Sequence, residues 1–166
     1  MRVRAATTSD AEPFALVIAA VAEERRWIAT EPPVDVAARA ALVREWLVRD
    51  DAIFVLEDDD GRVVGCLGLH KLGPPGVVSL GMGIVADARG RGGGAALMDA
   101  AMAWLGDSEM HKVQLEVWPD NERAIALYER FGFEVEGLRR EHYRRRDGSL
   151  RSALIMARLL SPETQT

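Results

Sequence analysis

One run, Arg89-Gly90-Arg91-Gly92-Gly93-Gly94-Ala95, constrains this chain more than any other stretch, because it joins a strand-like segment to a helical one. Gly76 to Ala86 before it reads as a strand, and Met98, Ala101, Met102 and Leu105 after it recur at helical spacing. The start of a helix leaves its first backbone N–H groups without intrahelical partners. Glycines let that backbone approach an anion without Cβ interference, and Arg89 and Arg91 can neutralise charge, so a phosphate is the expected ligand.

Two nucleotide readings meet the same glycines. A nucleotide P-loop needs Lys followed by Ser or Thr at the helix start, where this chain has Ala95-Ala96, so that reading fails. Gly90-x-Gly92-x-x-Ala95 satisfies the letters of a dinucleotide fingerprint. That fingerprint belongs directly after a strand in a repeated parallel βαβ architecture. Here Ala86 to Ala88 intervene and a hairpin precedes the strand; the reading stays as an alternative that predicts NAD(P) binding.

The remaining elements follow from periodicity and punctuation. Met1 to Ala6 alternates as an edge strand, and Ser9-x-x-Glu12 reads as a capping box before a helix with Phe14, Val17, Ile18 and Val21 on one face, ending near Arg26. A second helix starts around Val34-Asp35 and aligns Val36, Ala40, Val43, Trp46 and Leu47; Trp27 to Pro33 between the two helices is expected to be exposed. Ala52 to Glu57 and Arg62 to His70 form a hairpin through Asp58-Asp59-Asp60-Gly61. Lys112 to Trp118 is a strand. Asn121 to Arg130 is a helix with Gly132 just past its end, and Phe133 to Tyr143 pairs with Ser149 to Ala157 through Asp147-Gly148. The order βααβββαβαββ describes a mixed α/β sheet in one domain over residues 1–160, with residues 161–166 expected to be a disordered tail.

With these elements in place, Arg89-x-x-Gly92-x-Gly94 resembles the acyl-CoA signature of the GNAT superfamily of N-acetyltransferases. Leu115-Glu116-Val117, Asn121, Ala124, Leu127-Tyr128 and Phe131-Gly132-Phe133 are similar to that family's late strand, helix and strand. The resemblance implies the GNAT fold: a mostly antiparallel sheet splayed between its fourth and fifth strands, flanked by about four helices. It also implies acetyl-CoA as co-substrate, its pantetheine arm along the backbone of Met82, Gly83, Ile84 and Val85 and its pyrophosphate on Arg89, Gly90, Arg91, Gly92, Gly93, Gly94 and Ala95.

The same resemblance makes Tyr128 the general acid facing the departing sulfur and Asn121 a contact of the pantetheine arm, with capping of the helix by Asn121 or Asp120 as the plain structural role. The strand before the glycine loop carries no acidic residue, so the base falls to Glu116, 12 residues before Tyr128 as in relatives that acetylate N-terminal alanines of ribosomal proteins. Water, Glu31 and His70 stay open as alternatives. The family position of the segment between the first helices suggests Trp27 and Glu31 as acceptor contacts. The expected activity is transfer of acetyl to a primary amine of a small molecule, amino acid or peptide terminus by direct attack; a catalytically idle acyl-CoA sensor is the alternative.

Composition bounds the partners. A formal net charge of −5 speaks against broad nucleic-acid binding, and no apolar run approaches the roughly 20 residues of a membrane span. The N-terminal stretch lacks a signal-peptide pattern, so a cytoplasmic location is expected, and a homodimer is admitted. Cys66, the only cysteine, sits in strand core and reads as an inert thiol. His70, His111 and His142 share no ligand spacing, and no metal is expected. Arg144-Arg145-Arg146 reads as a solvated hairpin end, with carboxylate binding by one arginine as the alternative.

Overall fold

The computed structural model describes residues 1–71 and 73–160; the expected tail lies outside the described residues. Seven strands form one sheet in the order β1-β2-β3-β4-β5-β7-β6: β1 (Arg2–Ala5), β2 (Ala52–Glu57), β3 (Val63–His70), β4 (Val77–Ile84), β5 (Lys112–Val117), β6 (Glu134–Arg144) and β7 (Leu150–Leu159). Four α-helices connect them: α1 (Ala11–Glu23), α2 (Val36–Val48), α3 (Gly93–Gly106) and α4 (Glu122–Arg130). All neighbouring strands are antiparallel except β4 and β5. This is the GNAT fold that the sequence implied.

The sheet is a middle layer. Ile53 and Cys66 pack against Phe14, Val17, Ala40 and Val43 of α1 and α2, while Leu56, Leu67, Leu80 and Leu115 meet Leu97, Met98, Ala101 and Leu105 of α3 on the other side. The alternation of strand side chains puts apolar residues on both faces, and each helical stripe covers one of them. Burial pushes the Cys66 thiol up to about 12, which fits an inert packing role.

The parallel pairing of β4 with β5 is short. Val77, Val78 and Ser79 lie opposite Lys112, Val113 and Gln114, and beyond these the strands have no register. Leu80–Ile84 and Leu115–Val117 therefore diverge, as a splayed sheet requires. Val85 N–H bonds Val64 O, so the ladder's alternation turns the amides of Met82 and Ile84 away from β3 and toward the gap.

The structure corrects three local expectations. The cap before α1 is Thr7 with Asp10, not Ser9 with Glu12: Asp10 accepts the Thr7 N–H at 2.7 Å across a 3-10 turn that precedes the helix. Helix α1 ends at Glu23 because Arg25 takes a left-handed φ of 53°, which a continuing helix excludes. The segment 27–33 is half-buried for the most part and Arg145 is buried, so neither that segment nor the whole arginine run is a solvated loop.

Candidate active site

A cleft of about 770 Å³ occupies the gap between the diverging strands. Its floor is the β4 backbone from Leu80 to Ile84 and one wall is α4; Trp27, Ile28 and Ala29 line it too, with the Trp27 ring 5.8 Å from the Arg89 guanidinium. The volume lies in the ordinary range for small-molecule sites.

The glycine loop forms one end. Gly92 stands at the N-cap of α3 with φ of 83°, a backbone state that β-carbons disfavour, and the helix starts at Gly93. A Cβ at Gly93 would lie 2.4 Å from Leu56 Cδ2, so a side chain there would force the buried Leu56 to shift. Gly90, Gly92, Gly93, Gly94 and Ala95 line the cleft, as do Met82, Gly83 and Ile84. Arg91 and Val85 do not; Arg91 lies 3.8 Å from Asp59 on the outside.

Arg89 lines the cleft, but its guanidinium is committed to protein groups. It donates to Ile84 O at 2.8 Å and grips the Glu24 carboxylate with both terminal nitrogens, which holds that carboxyl below its usual range. Trp27 Nε1 donates to the same carboxylate at 2.7 Å. The lining cations with no ion-pair partner among the described residues are instead Arg123 and Arg130 of α4, and Arg123 Nη2 would lie 3.4 Å from a Cβ at Gly90. Sequence reading passed over it, although its position two residues after Asn121 places it on the first turn facing the loop.

Tyr128 lines the middle of the cleft and is 7% exposed. Burial pushes its phenol up to about 12, and its hydroxyl has no hydrogen-bond partner among the described residues. Asn121 lines the cleft and accepts the Ala124 N–H at 3.3 Å, so capping and ligand contact are compatible.

Glu116 faces the cleft from β5, on the side opposite buried Leu115 and Val117. Its carboxylate accepts from Tyr143 Oη and from Arg139. Tyr143, pushed up to about 12 by burial and by this carboxylate, keeps its proton and stays a donor. Of the other base candidates, His70 packs against Trp46 with ring centroids 4.3 Å apart and its Nδ1 3.1 Å from Asp51, and it does not line the cleft. Glu31 does not line it either: its carboxylate lies 3.5 Å from Arg145 Nε and accepts the Arg146 N–H at 3.0 Å.

These contacts correct the reading of the arginine run. Arg145 donates to Ala29 O at 2.8 Å, Arg146 to Pro32 O, and Arg151 to Arg26 O at 3.1 Å and to Asp120 at 2.7 Å. Together they bolt segment 26–32, a roof whose Trp27, Ile28 and Ala29 line the cleft, to the last hairpin. Arg145 and Arg151 also lie 5.7 and 4.6 Å from the Trp118 ring, whose Nε1 is buried with no partner among the described residues. Only the tertiary fold brings these arginines to segment 26–32, across more than 100 residues of chain.

The architecture is that of the acyltransferase class, and residues 18–133 match the model of the Acetyltransferase (GNAT) family. The chain belongs to that family. A mycothiol acetyltransferase of Saccharomonospora viridis is 34% identical over 128 residues, 72% of this chain but 42% of the relative. The chain thus spans less than half the length of that relative. Among solved structures, a ribosomal-protein-alanine N-acetyltransferase from Brucella melitensis superposes with a TM-score of 0.88 at 22% identity, covering 96% of this chain and 100% of that one. A phosphinothricin acetyltransferase from Sinorhizobium meliloti, solved in complex with AcCoA, gives 0.83 at 21% identity over 99% and 91%. Both superpositions show the fold. None of these relatives supports the idle-sensor alternative. No described helix is long and apolar enough to cross a membrane, and no group of metal-ligating side chains occurs among the described residues.

Proposed function

We propose that this domain, residues 1–160, acetylates a primary amine with acetyl-CoA as the second substrate, the amine attacking directly within a ternary complex. The observation that carries the reading is the single cleft joining the glycine loop to Tyr128 and Glu116. The residues fit the co-substrate. Loop N–H groups at the start of α3 and the Arg123 guanidinium suit a pyrophosphate, and a Cβ at Gly81 would meet nothing within 4 Å, which leaves a slot beside β4 for a slender arm. Acetyl-CoA supplies an activated acetyl thioester.

The chain's own groups do the rest. Met82 and Ile84 amides facing the gap suit polarisation of a carbonyl oxygen. Glu116 takes a proton from the attacking nitrogen, directly or through water, while Arg139 and Tyr143 hold the carboxylate in place. Tyr128, a phenol kept neutral by burial, donates its hydroxyl hydrogen where thiolate charge develops. The roof of Trp27, Ile28 and Ala29 limits water. Every group named comes from one chain, and a cytoplasmic location suits the lone buried thiol.

The test pairs calorimetry with turnover. Acetyl-CoA should bind, and a panel of primary amines should release free CoA thiol with formation of the N-acetyl product by mass spectrometry. Absence of acetyl-CoA binding, or binding of NAD(P) in its place, would overturn the assignment.

A further inference from the structure

Resting on that acetyl-transfer reading, we infer that the Arg89 side chain, although it opens the glycine signature, is a positioning residue and not a phosphate ligand. With Glu24 it clamps the end of β4 and the Trp27 ring in the arrangement that acetyl transfer uses. All three guanidinium nitrogens are engaged: Nε donates to Ile84 O at 2.8 Å, and the two terminal nitrogens reach both oxygens of Glu24, which stands at the end of α1. The same carboxylate accepts the Trp27 Nε1–H at 2.7 Å. The Trp27 ring lies 5.8 Å from the Arg89 guanidinium and lines the cleft. The end of α1, the glycine loop and the roof thus meet on one carboxylate that does not itself line the cleft.

The Ile84 contact sets the clamp beside the proposed chemistry. The peptide after Ile84 sends the Val85 N–H to Val64 O of β3, and a trans peptide points its carbonyl the opposite way, into the gap. Arg89 Nε holds that carbonyl, and with it the end of the strand whose Met82 and Ile84 amides face the gap. Donors aimed at a developing charge act only as well as they are held. A phosphate that drew Arg89 away would strip Glu24 of its charge-assisted bonds and leave two anions side by side. The arginine holds the Glu24 carboxyl below its usual range, and both side chains are largely enclosed, at 23% and 29% exposed. Phosphate meets readier partners in the N–H groups at the start of α3 and in Arg123, whose Nη2 would lie 3.4 Å from a Cβ at Gly90. Arg123, Arg130 of α4 and Arg26, 4.4 Å over the Trp27 ring, all lack an ion pair among the described residues. Cations therefore remain for the phosphates while the Arg89–Glu24 pair stays closed.

Acetyl-CoA affinity set against turnover separates the two roles. In calorimetry, Arg89→Met should keep the acetyl-CoA dissociation constant within about threefold of wild type at low and high salt, while kcat for primary amines falls at least about tenfold. Arg123→Met should instead weaken acetyl-CoA at least about tenfold at low salt and less at high salt. A salt-dependent affinity loss in Arg89→Met as large as that in Arg123→Met would overturn the inference. Glu24→Gln keeps the shape of the side chain and releases the arginine, so the clamp predicts a fall in kcat like that of Arg89→Met. The double variant should lie within about twofold of the slower single one; a loss equal to the product of the two would overturn the clamp as a unit. An unchanged kcat in Glu24→Gln would do the same, and that variant decides alone if Arg89→Met does not fold. Should the wild type bind acetyl-CoA and acetylate no amine, acetyl transfer itself falls, and the clamp is judged on the affinities above and on the emission that Trp27→Phe removes. Greater acrylamide quenching of that emission in Glu24→Gln sustains the clamp, and equal quenching sinks it.

Discussion

At the scale of single residues, the proposed function gives the phenol of Tyr128 and the carboxylate of Glu116 different chemistry, each from its surroundings. Tyr128 is a buried side chain whose hydroxyl has no hydrogen-bond partner among the described residues, so Tyr128→Phe removes no hydrogen bond seen in the free protein. Stability should change little, and calorimetry should find the CoA dissociation constant near wild type. If the phenol meets sulfur only as charge develops, kcat and kcat/KM should fall together by roughly 10²–10⁴. Full kcat, measured where chemistry limits turnover, would remove Tyr128 from the mechanism. Glu116→Gln predicts a different signature. An ordinary alkylamine is almost wholly protonated at neutral pH, so loss of the base should depress kcat/KM most at low pH. Raising the pH supplies neutral amine and should restore part of the rate; a loss independent of pH would mean that Glu116 only holds Arg139 and Tyr143.

At the scale of elements, the glycine loop and the arginine-bolted roof line one cleft, and under the proposed function substitutions should separate their roles. Gly92→Glu strains a left-handed position and sets a negative charge at the start of α3, so acetyl-CoA binding should weaken by about a hundredfold or more in calorimetry. An unchanged affinity would sink the loop assignment. Arg145→Ala leaves Glu31 and Ala29 O without their shared donor at a site where the arginine is 7% exposed. Breaking such a buried pair costs about 3 kcal/mol, a Tm loss of roughly 6–12 °C for a chain of this size. The loosened roof should raise the amine KM while the acetyl-CoA dissociation constant holds within about twofold. Equal effects on both substrates would make Arg145 a general support of the fold.

At the scale of the whole molecule, the order of elements could be read in advance because each carries its own local signal: the 3.6-residue stripes of α1 and α3, the acidic turn at Asp58–Gly61, the positive-φ Gly132 after α4. Tyr128, Asn121 and Glu116 were legible through the motif they resemble, and the cleft brings all three to one surface. Tyr143, Arg145 and Arg151 were not, since their partners lie far off in sequence and no local periodicity marks a side chain that bridges two distant segments. The same holds for Asp10, whose importance rests on a knot at the other end of the sheet. Arg4 of β1 grips the Asp10 carboxylate with two nitrogens at 2.7 and 2.8 Å and Glu57 of β2 at 2.7 Å, so the first strand, the β2–β3 hairpin and the entry to α1 meet there. The Arg4 guanidinium holds the Asp10 carboxyl at about 2, against 3.8 for an ordinary aspartate, with its side chain 6% exposed. A carboxyl depressed in the folded state contributes stability that is fully present above its unfolded value near 3.8 and is lost as pH falls toward 2; the contribution here is about 2 kcal/mol. Asp10→Asn should therefore destabilise the protein by about that amount in urea unfolding at pH 7, with the same difference at pH 6. Below pH 4 the wild type should lose stability toward the variant and the gap should narrow, while a gap constant from pH 7 to pH 3 would show that Asp10 acts through hydrogen bonds that asparagine reproduces poorly, and not through its charge.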